Sequence, residues 1–382
     1  MSGGPTVRRQ CQFVPETALS EDECKEAISL MKHSADEDIV KNKMKLTFDY
    51  RRNMILDPQQ SCNILFEFPR FKDVKGLVEQ DFVLMFGEGV SGKLLEKWPT
   101  AYKKKIIQEC RKLPSTSELE ELLLTADPPE DSTERDADFG WDSDLSSVFL
   151  LLHLIPPSAQ GRRKPGKVSA SQAEKHLVVF KKSGTSIQEH LDAITTSSQP
   201  YLLAVGARKN AVHQFFIVLD KNAIPCRSTS CLGAFDELFK AHFVFGTSYN
   251  PMLRNMYTFI QTTVYNIDVG KVKESPRVAE VRIAQPVSIF LFIHIALQHV
   301  CSPLCITSVS SGLPGTAAFP GQVPPLVAVV ANGVHKTAVG SHVVSPASET
   351  NYRRCGPRLD FVNGPLHSRL LQLSYIFSCH FH

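Results

Sequence analysis

The chain has 382 residues, 42 Lys and Arg against 39 Asp and Glu, and a formal net charge of +3. Beyond Arg282 only Lys336, Glu349, Arg353, Arg354, Arg358, Asp360 and Arg369 carry charge, so the first 282 residues hold 37 side chains of each sign. A neutral body gives no support to a general electrostatic pull on nucleic acid or on an anionic membrane.

The ten cysteines are irregularly spaced, and the opening MSGGPTVRRQCQF has no apolar stretch of the secretory kind. Free thiols in a reducing compartment follow, which places the chain in the cytoplasm or nucleus.

Residues 1–19 read as a disordered lead-in, and 20–126 as a helical domain. Ser20 and Glu23 stand in capping-box spacing ahead of a helix through Met31. Asp36, Glu37 and Asp38 open a second helix, predicted to run to Ile55 with Val40, Met44, Phe48 and Met54 as its apolar stripe. Val74, Leu77, Val78, Phe82, Met85 and Phe86 recur at helical steps and predict a helix over 75–86. A fourth helix runs from Gly92, bends at Pro99 and resumes to Leu113. A short fifth follows Ser117, with Glu120 at capping-box distance.

Residues 127–144 form an acidic linker, eight acids against one Arg, with Phe139 and Trp141 free to dock on a neighbouring surface. Residues 145–282 read as an α+β domain. Val148–Ile155 is a continuous apolar run, taken as a buried strand. Further strands are predicted at 176–181, 201–205 and 212–219, with a hairpin-like turn at 207–210. A helix opened by Thr185 and Gln188 lies between the first two of these, and helices follow at 232–241 and 251–265. The fold class is therefore α+β: a helical N-terminal half, then a small mixed or antiparallel sheet packed by helices.

Residues 283–382 are a low-charge tail, read as non-homologous, largely irregular and poorly ordered. An alternative exon would explain such an ending; a regular exon shared among paralogues would contradict it. Its apolar run, Val287–Leu297, is too short for a bilayer, which needs about 20 residues, so a membrane partner is not expected.

Several motifs have both a chemical and a plainer reading. Gly87 through Gly92 and Lys93 has the skeleton of a phosphate-binding loop, but Leu94 stands where a Ser or Thr would hold magnesium. The helical periodicity before Gly87 favours a helix end there, with Ser91 capping the next helix. No cofactor is expected. Cys226 and Cys231 with His242, and with His213 as a fourth ligand, could supply zinc donors, yet the spacing fits buried free thiols better. Cys110, Cys226, Ser186, His190 and Asp192 are the available nucleophiles, bases and orienting groups, and none sits in a catalytic signature. Arg162, Arg163, Lys164 and Lys167 form a basic loop, either a nuclear-import or phosphate-binding element or a solvated turn. Lys103, Lys104 and Lys105 are the wet face of a helix. Phe235, Phe239 and Phe243, four residues apart, are a core-facing stripe rather than a base-stacking platform.

Three segments together, FPRFKDVKGLVEQDFVLMFGEG (68–89), LEKWPTAYKKKI (95–106) and AFDELFKAHFVFGTSYNPMLRNMYTFIQ (234–261), resemble a multicopy vertebrate family. It is the sterile alpha motif domain-containing protein 3-like family, and the resemblance covers roughly 20–282. It implies a sterile alpha motif, a helical module for protein association, ahead of this body, and no enzymatic activity. This chain starts after the place where that motif would stand. The expectation is a non-enzymatic intracellular interaction or scaffolding module with protein partners. The alternatives are a nucleic-acid-associated protein derived from a mobile element and a nucleotide-binding protein with a degenerate phosphate loop.

Overall fold

Ser20 opens the first helix, α1 (Glu21–His33), with both halves of a capping box: its hydroxyl accepts the Glu23 N–H at 3.3 Å, and the Glu23 carboxylate accepts the Ser20 N–H at 2.7 Å. Two donors that a helix start leaves orphaned are thereby satisfied. The computed structural model describes residues 5, 11–13, 19–129, 140–157, 169–195 and 199–284. These all fall in one compact unit, Met1–Leu304. The 161–167 loop, most of the acidic linker and the tail from 285 onward lie outside the described residues.

Asp36 caps the next helix, α2 (Glu37–Leu46), accepting the N–H groups of Asp38 and Ile39 at 2.8 and 3.3 Å. The single helix expected over 36–55 is two. Thr47 turns its hydroxyl back onto the Lys43 carbonyl at 2.8 Å, and the chain restarts as α3 (Phe48–Leu56). A side chain that competes for backbone groups explains the break. After α4 (Ile64–Glu67), the chain enters α5 (Leu77–Phe86) through Gly76 at φ 85° and leaves through Gly87 at φ 81°. Both are left-handed positions that favour glycine.

Short helices α6 (Glu88–Ser91) and α7 (Lys93–Lys97) lead to a π-helical turn, Trp98–Tyr102, and then α8 (Lys103–Cys110). The bend expected at Pro99 takes this π form because proline removes a donor from the helical ladder. In α9 (Ser117–Ala126) the cap is Thr116, one residue earlier than the capping-box spacing suggested.

The run Val148–Ile155 is not a strand. It lies in helix α10 (Ser143–Leu154), capped by Asp142, which accepts the Leu145 N–H at 2.8 Å. An unbroken apolar run has no period, so it fits a helix buried on all sides as well as a buried strand. The Trp98 indole donates to the Ser147 hydroxyl at 2.8 Å, locking α10 against the π turn. The strand expected from His176 starts at Val178, because Ser169 and Gln172 form a capping box for α11 (Ala170–Leu177).

The sheet holds β1 (Val178–Lys182), β2 (Tyr201–Arg208), β3 (Ala211–Leu219) and β4 (Asn222–Pro225) in sequence order. It is mixed: β1 runs parallel to β2, and the other pairs are antiparallel. Helix α12 (Ile187–Asp192) makes the crossover between β1 and β2, capped by Ser186 rather than Thr185. The β2–β3 turn falls where expected. At Gly206 the register shifts, and a Cβ there would come within 2.4 Å of the Ala211 carbonyl oxygen. Strand β4 was not foreseen. It follows a two-residue turn, Asp220–Lys221, with φ of 45° and 62°, made without the usual Asn-Gly.

Helices α13 (Cys231–Val244) and α14 (Arg254–Phe259), a second π turn (Ile260–Val264) and α15 (Pro276–Ala284) complete the described chain. One hydrophobic cluster runs from Ile28 in α1 to Val281 in α15. The helical half and the sheet half therefore share a core rather than building two. Phe235, Phe239 and Phe243 are all buried in it. Trp141 also docks, edge-on to Phe149 and Phe180 at 6.1 Å each. A smaller cluster of Leu191, Tyr201, Leu203, Val205, Phe216 and Val218 packs under α12.

Candidate functional site

The densest polar chemistry lies where α5 meets α13. Lys240, only 1% exposed, sets its ammonium against the Glu79 carboxylate and 2.5 Å from that of Asp236. The Tyr265 hydroxyl donates to Asp236, and the Ser91 hydroxyl donates to Glu79. The ammonium also lies 5.6 Å from the centre of the Phe82 ring. One turn along α13, the Glu237 carboxylate accepts the backbone N–H groups of Arg227 and Ser228 at 3.0 and 2.7 Å, pinning the loop that enters the helix.

An opening of about 410 Å³ reaches this seam, lined by Ser91, Gly92 and Ser230 with the charged groups. Burial raises the Asp236 carboxyl to about 6 despite the pull of Lys240. Burial also pushes Glu237 upward, against its two backbone bonds. The arrangement ties α5, α13 and Tyr265 together through one buried cation and leaves a carboxyl that titrates nearer neutrality than usual.

The phosphate-loop skeleton borders this seam but lacks the loop's architecture. Gly87 closes helix α5, where a phosphate loop would follow a strand. Ser91 lies inside α6 and is not a helix cap. Gly92 follows it, and the Lys93 ammonium donates to the Tyr265 carbonyl at 2.8 Å.

Cys226 and Cys231 are buried thiols, both raised chiefly by burial. His242 is buried between Tyr249 and Tyr257, with ring centroids at 5.0 and 4.8 Å, and its Nδ1 is 2.9 Å from the Thr247 hydroxyl. Burial pushes it down to about 3, so the ring is neutral. His213 is exposed on β3. Among the described residues no group of three or more His, Cys, Asp or Glu side chains is placed to hold a metal.

The remaining candidates are engaged separately. Cys110 points its thiol at the Leu150 carbonyl, 3.3 Å away, and burial raises it to about 12. His190 lies 3.0 Å from the Tyr201 hydroxyl, Asp192 accepts from Gln188 at 2.8 Å, and Ser186 is a helix cap. Lys103 pairs with Asp144 at 2.6 Å and is only partly solvated. Arg162, Arg163, Lys164 and Lys167 lie outside the described residues. Sequence reasoning missed Glu79, Asp236 and Lys240. The available signal was the Asp236–Lys240 spacing of four on a helix whose other faces are apolar.

A second feature is an excess of exposed apolar side chains near the N-terminus. Of the seven large ones among the described residues, Leu30, Ile39, Leu46 and Phe66 fall within 19–73, and Phe66 is 77% exposed. The others, Leu95, Leu124 and Val269, are scattered. Among the described residues no helix is long and apolar enough to cross a membrane.

Residues 19–73 match the family model of the helical domain of sterile alpha motif domain-containing protein 3. No curated protein and no solved structure matches the chain.

Proposed function

We propose that the chain, whose residues 19–73 match the family model of the helical domain of sterile alpha motif domain-containing protein 3, is a non-catalytic interaction module that binds protein partners through this segment. The observation that carries the reading is the concentration of exposed Leu30, Ile39, Leu46 and Phe66 on that segment. Exposed apolar side chains grouped on a folded surface mark contact sites, whereas scattered ones need no explanation. The rest of the described chain supplies a rigid body behind the domain, built on the shared core. The module works inside the cell, in cytoplasm or nucleus, where its free thiols are stable.

The nucleic-acid and nucleotide readings have less support. Lys103 is engaged by Asp144 and Lys93 by the Tyr265 carbonyl, so neither offers a free cation to a phosphate.

Proximity labelling in cells, comparing the full chain with Leu30→Ser/Phe66→Ser, tests the proposal. A set of partners labelled by the wild type and lost with the double variant is the expected result. Identical labelling by both chains would overturn it.

A further inference from the structure

The helical domain carries its own groove. It is bounded by the start of α1, the end of α2 and one face of α3, and its volume is about 590 Å³, within the range of about 300–1,000 Å³ of clefts that bind ligands. Leu46, Tyr50 and Met54 line it at helical steps, and Leu19 closes the far side. This gives an apolar bed, with Leu46 exposed and Tyr50 half-buried.

The charged side chains that line the bed are all acidic. Glu21, Asp49 and Asp57 line the groove, and no Lys, Arg or His is among the lining residues. Two of these carboxylates are engaged. Glu21 pairs with Lys25 at 2.7 Å, and Asp57 accepts the Gln59 N–H and the Gln60 amide at 2.9 Å each. Asp49 is exposed, and among the described residues its carboxylate has no hydrogen bond or ion pair. The buried Cys24 thiol, which also lines the groove, is pushed up by burial and then by Glu23, Asp49 and Glu21. Glu21 and Asp49 therefore both lie near Cys24. An apolar bed with an acidic, partly unpaired rim is complementary to one kind of segment.

We propose that this groove takes a short segment of a partner protein that presents a Lys or Arg one helical turn from a Leu- or Phe-sized side chain. The apolar group lies on Leu46, Tyr50 and Met54, and the cation meets Asp49. This rests on the interaction reading above and assigns that reading its site and the chemistry of its partner.

The test uses the full chain and three fluorescent helical peptides: one with Leu and Lys one turn apart, one with Glu in place of Lys, and one with Ser in place of Leu. Anisotropy titrations are run on wild type, Asp49→Lys, Leu46→Glu and, as a control on a distant exposed residue, Leu124→Glu. The Leu/Lys peptide binds the wild type, and both groove variants weaken it by about tenfold or more. Asp49→Lys gains the Glu peptide, and Leu124→Glu changes nothing. Binding weakens with added salt. Unchanged thermal melts show that the variants fold, and Asp49→Asn, with no new charge, supplies a second reading of the same carboxylate.

Failure of the Leu/Lys peptide to bind, equal binding of the Glu peptide, or indifference to Asp49→Lys and Leu46→Glu overturns the proposal. So does sedimentation showing that Leu46→Glu abolishes only self-association, because a second copy of the chain then fills the groove. If partners lost with Leu30→Ser/Phe66→Ser survive Asp49→Lys, the groove assignment falls while the interaction reading stands. If peptide binding follows the groove variants but no partner is ever labelled, the interaction reading falls on its own.

Discussion

The outer surface of residues 19–73, a segment that also buries Arg51 against Asp81, and helix α13 depart from the usual inside–outside pattern in opposite directions. The first leaves Leu30, Ile39, Leu46 and Phe66 on the surface. The second takes Asp236, Glu237, Lys240 and His242 into the interior, each at most 6% exposed. Exposed apolar groups stabilise the isolated chain little, because they stay in contact with water. Buried charges cost desolvation and persist only where partners surround them. The contrast sets wet apolar surface, which the proposal makes a contact face, beside buried charge that ties α13 to α5.

The largest effect comes from breaking the buried side of this contrast. Lys240→Ala leaves Asp236 and Glu79 facing each other without their cation, and should cost about 3–5 kcal/mol in denaturant unfolding. Lys240→Met with Asp236→Asn removes the Lys240–Asp236 ion pair while keeping much of the volume, and should recover most of that loss. A double variant no better than the single one would mean that the loss is packing rather than unpaired charge.

Titration distinguishes the two regions by sign. Asp236 is raised by burial to about 6 from an ordinary 3.8, so the folded chain holds its proton over a pH range in which the unfolded chain has lost it. Its contribution is full below about pH 4 and is lost as pH rises through about 6, a change of up to about 3 kcal/mol. Wild type and Asp236→Asn should therefore differ in the slope of stability between pH 4 and 6, and a constant difference would contradict this. The helix start at Ser20 behaves in the opposite way. The Ser20 N–H holds Glu23 below its ordinary value, and a hydrogen bond from Lys25 does the same for Glu21. Their small contributions are lost as pH falls.

Gly206→Ala probes the sheet that lies behind both regions. Its Cβ would meet the Ala211 carbonyl oxygen and the Val212 Cα, both backbone atoms that cannot rotate away. A cost of about 1–3 kcal/mol follows, measurable as a lower denaturation midpoint. An unchanged midpoint would show that the hairpin shifts freely at its register break.

What the sequence made legible depended on the range of the interaction. The Ser20 capping box and the Phe235, Phe239 and Phe243 stripe are local patterns, and both stand in the fold as read. The Gly87 helix end was legible for the same reason. Helix α10 was misread because Val148–Ile155 is apolar at every position, so it carries no period. Strand β4 was missed because Asp220–Lys221 lacks glycine at either turn position. The seam at Lys240 could not be read locally, since it joins Glu79 and Lys240 across 161 positions. Cys226, Cys231 and His242 are each buried, but against different neighbours: Cys226 near Glu237, Cys231 near Asp142, and His242 between Tyr249 and Tyr257.

The smallest expected effect on stability tests the opposite side of the contrast. Phe66 lies on a four-residue helix, 77% exposed, and Leu30 on the outer side of α1, 51% exposed. Replacing either with Ser removes apolar surface that is already wet, so the unfolding free energy should change by no more than about 0.5 kcal/mol. A loss of about 2 kcal/mol or more would mean that these side chains pack in solution against chain outside the described residues. The surface excess would then be internal, and the case for a contact face on residues 19–73 would rest on the groove alone. Unchanged stability together with lost partner labelling would place the cost of exposed Phe66 and Leu30 in binding rather than in folding.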